Sequence, residues 1–273
     1  MSDIVVQKFG GTSVDSDEHR RAAARKIIDA RDSGSFPVVV VSAIGRAGAP
    51  YATDTLREEL RKVDPSIVPN PREMDTMMAC GEIISAAVMA VTLQSLGYPA
   101  VALSGGQAGI LTDGEHGNAR IRRIDPRAIL TAIEAGEIPV VCGFQGVAEI
   151  AEPPLHGPIT TLGRGGSDTT AAALVFFNDA STTEIYTDVD GVKTADPDMV
   201  QHARTLEVCT YAELAEMTHL GARVVHPRAA EIAMDHGIPL WVKSTFSETP
   251  GTRRSVSSNS RISRRAAMER VSS

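Results

Sequence analysis

The sequence predicts an α/β protein in which helices cover both faces of a mainly parallel β-sheet. Three observations support this fold class. Apolar runs of strand length alternate with longer stretches that have helical spacing. Two of the runs, Pro37–Val41 and Ile138–Cys142, are wholly apolar, as expected of strands that are buried on both faces. Turns rich in glycine and hydroxyl groups follow several runs directly, at the sheet edge where ligands of such folds bind.

The amino-terminal part of the chain begins this alternation. Ile4–Phe9 is typical of a buried strand, Asp17–Asp32 has the spacing of a helix, and Pro37–Val41 is a second strand-like run. Arg72–Leu96 has the length and spacing of a long helix, and Ala100–Leu103 is another short apolar run. This order predicts βαβ units, in which the strands are parallel.

The rest of the chain continues the alternation. Pro126–Ala135 is a predicted helix with proline in its first turn, and the strand Ile138–Cys142 follows it. The apolar run Ala171–Val175 belongs to a helix that is expected to begin near Ser167. The remaining predicted elements are a strand at Thr183–Thr187, a helix at Tyr211–Leu220 that Thr210 and Glu213 can cap, a helix at Pro227–His236 and a strand at Pro239–Lys243.

Composition limits the class of protein. The chain has 273 residues, of which 42% are hydrophobic and 22% charged, so it can bury a large core. A net charge of -7 argues against a general binder of nucleic acid or anionic membranes. No apolar run approaches the ~20 residues that span a bilayer, and no secretory signal is present, so a cytoplasmic location is expected. Cys80, Cys142 and Cys209 suggest neither a disulfide framework nor a zinc site.

The pattern ends near the carboxyl terminus. Residues 1–245 are predicted to form the folded part of the chain, and residues 246–273 a flexible tail rich in serine and arginine. The functional alternative for this tail is an anion-binding or docking arm.

The most informative segment is Thr160–Thr170, which leads into a predicted helix. Glycines let the main chain approach a ligand, and a helix start adds unpaired N–H groups and partial positive charge. Arg164 adds a guanidinium and Asp168 a carboxylate that the helix dipole favours. The segment therefore predicts an anion-binding loop.

Two further loops follow the first two strands. Lys8, Gly10 and Gly11 place an ammonium beside two glycines, and Ser42 lies in a third turn. A glycine turn after a strand is often purely structural, so this pattern would be weak evidence alone. Three such loops on one sheet edge favour a phosphate site. The spacing matches neither a P-loop nor a dinucleotide fingerprint.

Together, seven motifs from about Val5 to Thr252 resemble aspartokinases of the amino acid kinase superfamily. They are Lys8–Ser13, Met78–Glu82, Gly105–Gly109, Gly143–Gly146, Thr161–Asp168, Thr187–Gly191 and Gly221–Pro227. The resemblance implies a three-layer αβα sandwich, with a substrate lobe at about 1–180 and a nucleotide lobe at about 181–245. It implies transfer of the ATP γ-phosphoryl group to the side-chain carboxylate of L-aspartate.

The resemblance also assigns the phosphate-binding residues. It implies that Lys8 neutralises charge on the transferring group, that Gly10, Gly11 and Ser42 bind phosphate, and that Asp168 orients Lys8. An aspartate side chain is already ionised at neutral pH, so the absence of a catalytic base is expected.

For the amino acid, the resemblance implies that Arg164 grips the α-carboxylate and that Glu82 pairs with the α-ammonium. Taken alone, Glu82 would be interpreted as a solvated helix residue. Ser167 and Phe144 complete the implied pocket, together with Gly165 and Gly166 of the glycine loop.

For ATP, the resemblance implies contacts from Thr187 and Asp188 and a bend at Gly191. Lys193 stands where the family commonly has an aromatic residue, and it is expected to add positive charge near the phosphates. Arg223 keeps the positive charge of the usual lysine. The local alternative at Gly191 is a hairpin turn. A calcium loop is rejected because Gly191 sits at the wrong offset and no glutamate follows at the twelfth position. Mg²⁺ is expected to arrive with ATP, held by phosphate oxygens and water, and no protein metal ligands are assigned.

Some positions depart from the family pattern. Asp198 replaces a common arginine, Arg223 replaces a usual lysine, and the loop Arg46–Thr55 is assigned no role. The chain has no room for the regulatory ACT domains, which suggests a kinase without lysine or threonine control, or else a truncation. The alternative functions are phosphorylation of glutamate or another carboxylate, and a non-catalytic amino-acid sensor. Family members usually self-associate, so a homo-oligomer is a further expectation.

Overall fold

The computed structural model describes residues 3–149, 157–177, 180–195, 200, 202–210, 213–214, 216–217 and 225–254. The strands are β1 (Ile4–Phe9), β2 (Phe36–Val41), β3 (Ala100–Leu103), β4 (Ile110–Thr112), β5 (Ile121–Ile124), β6 (Ile138–Cys142), β7 (Gln145–Ala148), β8 (Ile159–Thr161), β9 (Thr182–Thr187), β10 (Val208–Cys209), β11 (Leu240–Ser244) and β12 (Thr252–Arg254). The helices are α1 (Asp17–Asp32), α2 (Thr53–Val63), α3 (Pro71–Ser95), α4 (Arg127–Glu134), α5 (Gly166–Phe177) and α6 (Pro227–Asp235).

The larger sheet has the strand order β10-β12-β11-β9-β1-β2-β6-β3. The strands from β11 to β3 run parallel, as the sequence predicts. The chain leaves β1 for β2 on one side and later returns to β9 on the other side. This reversal at β1 is the topological switch point where α/β sheets bind ligands.

Helices cover both faces of this sheet, which confirms the three-layer αβα architecture. Val38 and Val40 of β2 lie in one hydrophobic core with the apolar side chains of α5 and α6. Val39 and Val41, which alternate with them, lie in a second core with α1 and α3. Both faces of β2 are therefore buried, which explains its continuous run of valines.

The helix ends follow from local capping groups. The Ser16 side chain accepts the His19 N–H at the start of α1, and Asn70 caps α3 ahead of Pro71. Thr210 and Glu213 each accept the other's backbone N–H, which is the predicted reciprocal cap. Most of the predicted helix Tyr211–Leu220 lies outside the described residues.

A second sheet, with the order β5-β4-β7-β8, was not predicted from the sequence. Its strands have only three or four residues, and β5 carries two adjacent arginines, so neither length nor alternation marks them. The helix α2 was not predicted either. The second sheet matters because β8 leads directly into the glycine loop before α5.

The predicted tail begins too early. Thr252–Arg254 form β12, which pairs antiparallel with β11 and parallel with β10. The Thr252 hydroxyl also donates to Leu206 O and accepts the Val192 N–H, so this segment is an integral part of the sheet between β10 and β11. Residues 255–273 lie outside the described part of the chain.

The helix α3 is 25 residues long and apolar enough to cross a membrane by length and composition alone. Polar residues interrupt the apolar run of this helix, so no continuous run of membrane-spanning length is evident in the sequence. Half of its most apolar window is buried against the rest of the protein. Met89 and Leu93 of α3 belong to the core beside β2 and β6, so α3 acts as a core helix.

Candidate active site

The loops that follow β1, β2 and β9 meet at one edge of the larger sheet. Gly10 N–H donates to Tyr186 O at 3.3 Å, and Gly45 N–H donates to Gly11 O at 3.0 Å. These bonds join the first glycine loop to both neighbouring strand ends, as the parallel topology predicts. The amino terminus of α5 reaches the same edge through Asp168, which contacts Lys8 of β1.

Lys8 and Asp168 form a mostly buried ion pair at this edge. The Lys8 Nζ lies 2.6 Å from Asp168 Oδ1, and the two side chains are 12% and 11% exposed. Asp168 Oδ2 accepts the backbone N–H of His226 at 3.1 Å. The carboxylate is therefore held from two sides and fixes the ammonium at the mouth of the glycine loop.

Gly11 is required here by close backbone approach. A Cβ on Gly11 would lie 2.5 Å from Gly45 O and 2.6 Å from Ala43 O, and neither carbonyl belongs to a flexible side chain. A Cβ on Gly10 would have nothing closer than 3.8 Å.

We therefore expect Gly11→Ala to destabilise the protein by about 1–3 kcal/mol through overpacking, whereas Gly10→Ala should change the unfolding free energy far less. Urea unfolding of both variants checks this difference. Equal stabilities would contradict the close approach of the two loops.

The second loop contacts the start of α5 through two hydroxyl groups. Ser42 Oγ lies 2.8 Å from Ser167 Oγ, at hydrogen-bonding distance. A Cβ on Gly143 would lie 2.6 Å from Ser167 Cβ, so the loop after β6 also packs closely on this helix start. The loops after β2 and β6 are thus both seated against α5.

Glu82 is the most unusual group of the site. Its side chain is buried, at 2% exposure, and Oε1 accepts the Ala43 N–H at 3.0 Å. Oε2 is also buried but has no hydrogen-bond partner among the described residues. Burial raises the pKa of Glu82 from 4.5 to about 8, against the opposing effect of the Ala43 N–H. A buried carboxylate oxygen without a partner is suited to bind a cationic donor.

A continuous series of contacts joins these groups. Lys8 contacts Asp168, whose neighbour Ser167 contacts Ser42. The residue after Ser42 is Ala43, which donates its N–H to Glu82. The structure therefore brings the predicted phosphate residue Lys8 and the predicted amino-acid residue Glu82 into one connected site.

The glycine loop before α5 is shaped by positive backbone φ angles. Gly163 has φ +74° and Gly165 has φ +71°. A Cβ on Gly165 would overlap the His226 ring, at 1.9 Å from Cγ. Arg164 lies between these glycines and is exposed, with no ion pair or hydrogen bond to any described residue. Its guanidinium is thus free to meet a ligand.

Phe144 packs beside this loop in an unusual conformation. Its φ is +68°, which is rare for a bulky residue and often marks a functional site. The conformation is supported by its backbone, since Phe144 N–H donates to Thr170 Oγ1 and Phe144 O accepts the Leu162 N–H. A Cβ on Gly166 would lie 2.8 Å from the Phe144 ring, so only glycine fits there.

The predicted nucleotide residues lie on the loop after β9. Thr187 ends β9 and donates to Asp188 Oδ1, while Asp188 Oδ2 lies 2.7 Å from Arg46. Lys193 donates to Thr205 Oγ1 at 2.8 Å. Gly191 has φ +133° and packs against Thr252, where a Cβ would lie 2.6 Å from Oγ1. Arg223 and Asp198 lie outside the described residues.

Sequence reasoning missed several contributors to this geometry. Ala43 and His226 act through backbone N–H groups, which carry no side-chain signal. Arg46 pairs with Asp188 across the two loops, although no role was assigned to its segment. Arg228 donates to the backbone before the glycine loop, and only its place after a helix-starting proline could have suggested a defined position.

A cavity of about 480 Å³ lies elsewhere, between α1, β1, β9 and β11. Several of the charged side chains that line it are already paired. Glu184 accepts from Gln7 and contacts Lys243 at 2.5 Å, and Lys26 donates to Glu248. The strand-end site, which collects Lys8, Asp168 and Glu82, therefore remains the candidate active site.

Known proteins are similar to this chain over most of its length. The sequence profile of the amino acid kinase family matches residues 3–244. The chain is 47% identical over 249 residues to aspartokinase 1 of Bacillus subtilis (strain 168), covering 91% of this chain and 60% of that protein. It is 44% identical to an aspartokinase of Mycolicibacterium smegmatis, covering 91% and 56% respectively. The chain thus spans 60% or less of the length of these curated relatives.

Solved structures give the same result. An aspartate kinase from Synechocystis superposes with a TM-score of 0.76 at 41% identity, covering 92% of this chain and 39% of that one. E. coli aspartokinase III in complex with aspartate and ADP superposes with a TM-score of 0.73 at 27% identity, covering 92% and 64%. UMP kinase from Ureaplasma parvum shares the fold, with a TM-score of 0.60 at 17% identity.

Proposed function

The chain belongs to the amino acid kinase family, and from this membership we propose that it transfers the γ-phosphoryl group of ATP to L-aspartate. The acceptor is the side-chain carboxylate, and the products are 4-phospho-L-aspartate and ADP. The similarity to aspartokinases over 91% of the chain supports aspartate as the substrate. One similar structure holds aspartate and ADP.

The observation that carries the proposal is the connected series from Lys8 through Asp168 and Ser42 to Glu82. It places a cation for phosphate and a buried carboxyl group that can accept from an ammonium on one sheet edge. A substrate that is anionic at one end and carries an ammonium at the other matches this arrangement.

The geometry supports a mechanism without a general base. The acceptor carboxylate is ionised near neutral pH, so catalysis requires two anions to be held together. Lys8 is fixed by Asp168 and stabilises the charge that develops on the transferring group. Gly10, Gly11 and Ser42 bind the phosphates beside it. We assign Glu82 to the α-ammonium.

The remaining substrate contacts are assigned to the glycine loop and its neighbours. Arg164 grips the α-carboxylate, and this role is supported by its exposed guanidinium, which has no partner in the described part of the chain. The other substrate contacts that we propose come from Phe144, Gly165, Gly166 and Ser167.

ATP is assigned to the part of the chain that follows residue 180. The substrate lobe comprises about residues 1–180 and the nucleotide lobe about residues 181–245. The proposed ATP contacts at the end of β9 and in the loop after it are Thr187, Asp188, Gly191 and Lys193. This loop lies beside Lys8, because β9 pairs with β1. Arg223 is proposed as a further ATP contact from the sequence alone.

Mg²⁺ fits this site as a companion of ATP. Among the described residues, two carboxylates of these loops are already paired with cations: Asp168 with Lys8, and Asp188 with Arg46. We therefore assign no protein ligand to the ion. Phosphate oxygens and water would supply most of the ligands of the ion. The ion would neutralise charge on the phosphoryl group. We also propose that the reaction takes place in the cytoplasm.

Trapping of the acyl phosphate tests the reaction. The protein is incubated with Mg-ATP, hydroxylamine and one of several carboxylic acids. We expect hydroxamate from aspartate, at a rate that greatly exceeds that from glutamate. Preference for glutamate would replace the substrate assignment. Nucleotide binding without hydroxamate from any acid would favour the non-catalytic sensor.

Self-association is also part of the proposal. Ile83, Ala87 and Val91 recur every four residues on α3 and are exposed, Val91 by 61%. Such an apolar stripe supports a helix-to-helix contact between two copies of the chain. Light scattering should give the mass of an oligomer, and Val91→Glu should reduce it.

A further inference from the structure

Asp75 is a fully buried carboxylate of α3 to which neither the reaction nor the family resemblance assigns a role. It is 0% exposed and contacts three groups from other elements. Thr161 Oγ1 donates to Oδ1 at 2.5 Å, and Gly117 N–H donates to both carboxylate oxygens at 3.0–3.1 Å. His116 Nδ1 lies 2.7 Å from Oδ2. Asp75 therefore joins α3 to β8 and to the loop between β4 and β5.

Both of these partners lie against the glycine loop. Thr161 ends β8, three residues before Arg164. Thr161 O accepts the Ala119 N–H at 2.9 Å, so the loop after β4 also pairs with the end of β8. A Cβ on Gly163 would meet Asn118 Oδ1 at 3.2 Å, so the glycine loop packs directly on this segment.

A guanidinium from α6 holds the same backbone segment. Arg228 of α6 donates to Leu162 O at 3.0 Å and to Ala119 O at 3.2 Å. The backbone on the approach to Arg164 is thus held by Asp75 through Thr161 and by Arg228 through Leu162. Arg164 itself is exposed, so its position depends on this bracing.

Asp75 and Glu82 lie seven residues apart on α3, which places them on the same face of the helix. One helix therefore carries the proposed ammonium-binding carboxylate and the anchor of the loop that presents Arg164. The separation between Glu82 and Arg164 must match the separation between the two α-groups of an amino acid.

We propose that Asp75 is a positioning residue that, through Thr161, sets the place of Arg164 and thereby the affinity for the amino-acid substrate. This inference rests on the proposed function of Arg164. A purely structural role of Asp75 would have a different effect. Its loss would then lower stability, or would weaken the binding of aspartate and ATP equally.

The test compares Thr161→Val with Thr161→Ser. Valine keeps the shape of threonine but removes the hydroxyl that reaches Asp75, whereas serine keeps the hydroxyl. We expect Thr161→Val and Asp75→Asn to raise KM for aspartate about tenfold or more, because small displacements of a binding group weaken substrate positioning strongly. KM for ATP should stay within about twofold, and Thr161→Ser should remain close to the wild type.

Asp113→Asn is the matched control. Asp113 accepts the Glu115 and Arg120 N–H groups in the same loop, and its carboxylate has no described hydrogen bond to Thr161 or to α3. It should leave both KM values unchanged.

Direct binding separates this inference from the proposed reaction. Calorimetry gives the Kd for aspartate and for ADP with each variant, whether or not turnover occurs. If Thr161→Val weakens the binding of aspartate but not that of ADP, the positioning role is supported. Equal weakening of both ligands, a change in Tm alone, or no aspartate binding by the wild type would overturn it. A wild type that binds aspartate but forms no hydroxamate would contradict only the proposed reaction.

Discussion

Replacement of Lys8 by alanine is expected to lower kcat for acyl phosphate formation at least about a hundredfold. The ammonium lies 2.6 Å from Asp168 and is mostly shielded from water, so its position is set before the substrates bind. Such a preorganised charge stabilises the transition state without a reorganisation cost. KM for aspartate should change much less, because the ammonium is assigned to the transferring group. Steady-state kinetics with each substrate varied in turn measures this.

Lys243→Ala is the control for Lys8→Ala. Lys243 also pairs with a carboxylate on a neighbouring strand, Glu184, at 2.5 Å. It lies beneath the separate cavity, so its loss should affect stability but leave kcat within a few-fold. If Lys8→Ala retained most of its turnover while remaining folded, Lys8 would have no catalytic role.

Glu82→Gln is expected to raise KM for aspartate at least about thirtyfold, because loss of one member of a buried charge pair costs about 2–5 kcal/mol. Glutamine keeps the size of the side chain and its acceptor for the Ala43 N–H. It removes the charge that the substrate ammonium would meet. Glu73→Gln is the control, since Glu73 is an exposed carboxylate on the same helix.

The same substitution should stabilise the protein in the absence of substrate. The pKa of Glu82 is about 8 in the folded protein and 4.5 as a free side chain, since burial disfavours its charge. Between these two pH values the folded state retains a proton that the unfolded chain has released. The contribution of Glu82 to stability is therefore most favourable below pH 4.5 and declines as the pH rises to about 8.

Glu82→Gln removes this decline. At pH 8 we expect the variant to be more stable than the wild type by roughly 2–4 kcal/mol, and the difference to vanish near pH 4. The pH dependence of kcat/KM for aspartate gives an independent measurement. It should rise up to about pH 8 in the wild type, as Glu82 ionises, and lose this rise in the variant. If the variant were less stable than the wild type at pH 8, ionisation of Glu82 would not be unfavourable in the folded protein.

The sequence predicted those parts of the fold that depend on local pattern. The continuous apolar run of β2 indicated a strand buried on both faces, and the spacing of α1 predicted its bounds, Asp17–Asp32, correctly. The glycines of the first loop were predicted only to admit a phosphate, and the close packing of Gly11 on Ala43 and Gly45 is an additional finding of the structure.

The features that were missed depend on contacts between distant segments. The two short strands β4 and β8 are defined by their neighbours in a sheet rather than by their own composition. The burial of Glu82 was not evident from a helix that carries other polar residues. Its unpaired oxygen depends on the path of the loop after β2, which no local spacing encodes.

The position of β12 has a consequence for protein engineering. Its Thr252 hydroxyl packs against Gly191 and accepts the Val192 N–H. The last described strand therefore supports the turn that is assigned to ATP. A minimal version shortened at residue 245 would lose this support together with an entire sheet edge. Any fusion, purification handle or deletion at the carboxyl end should therefore begin beyond Arg254.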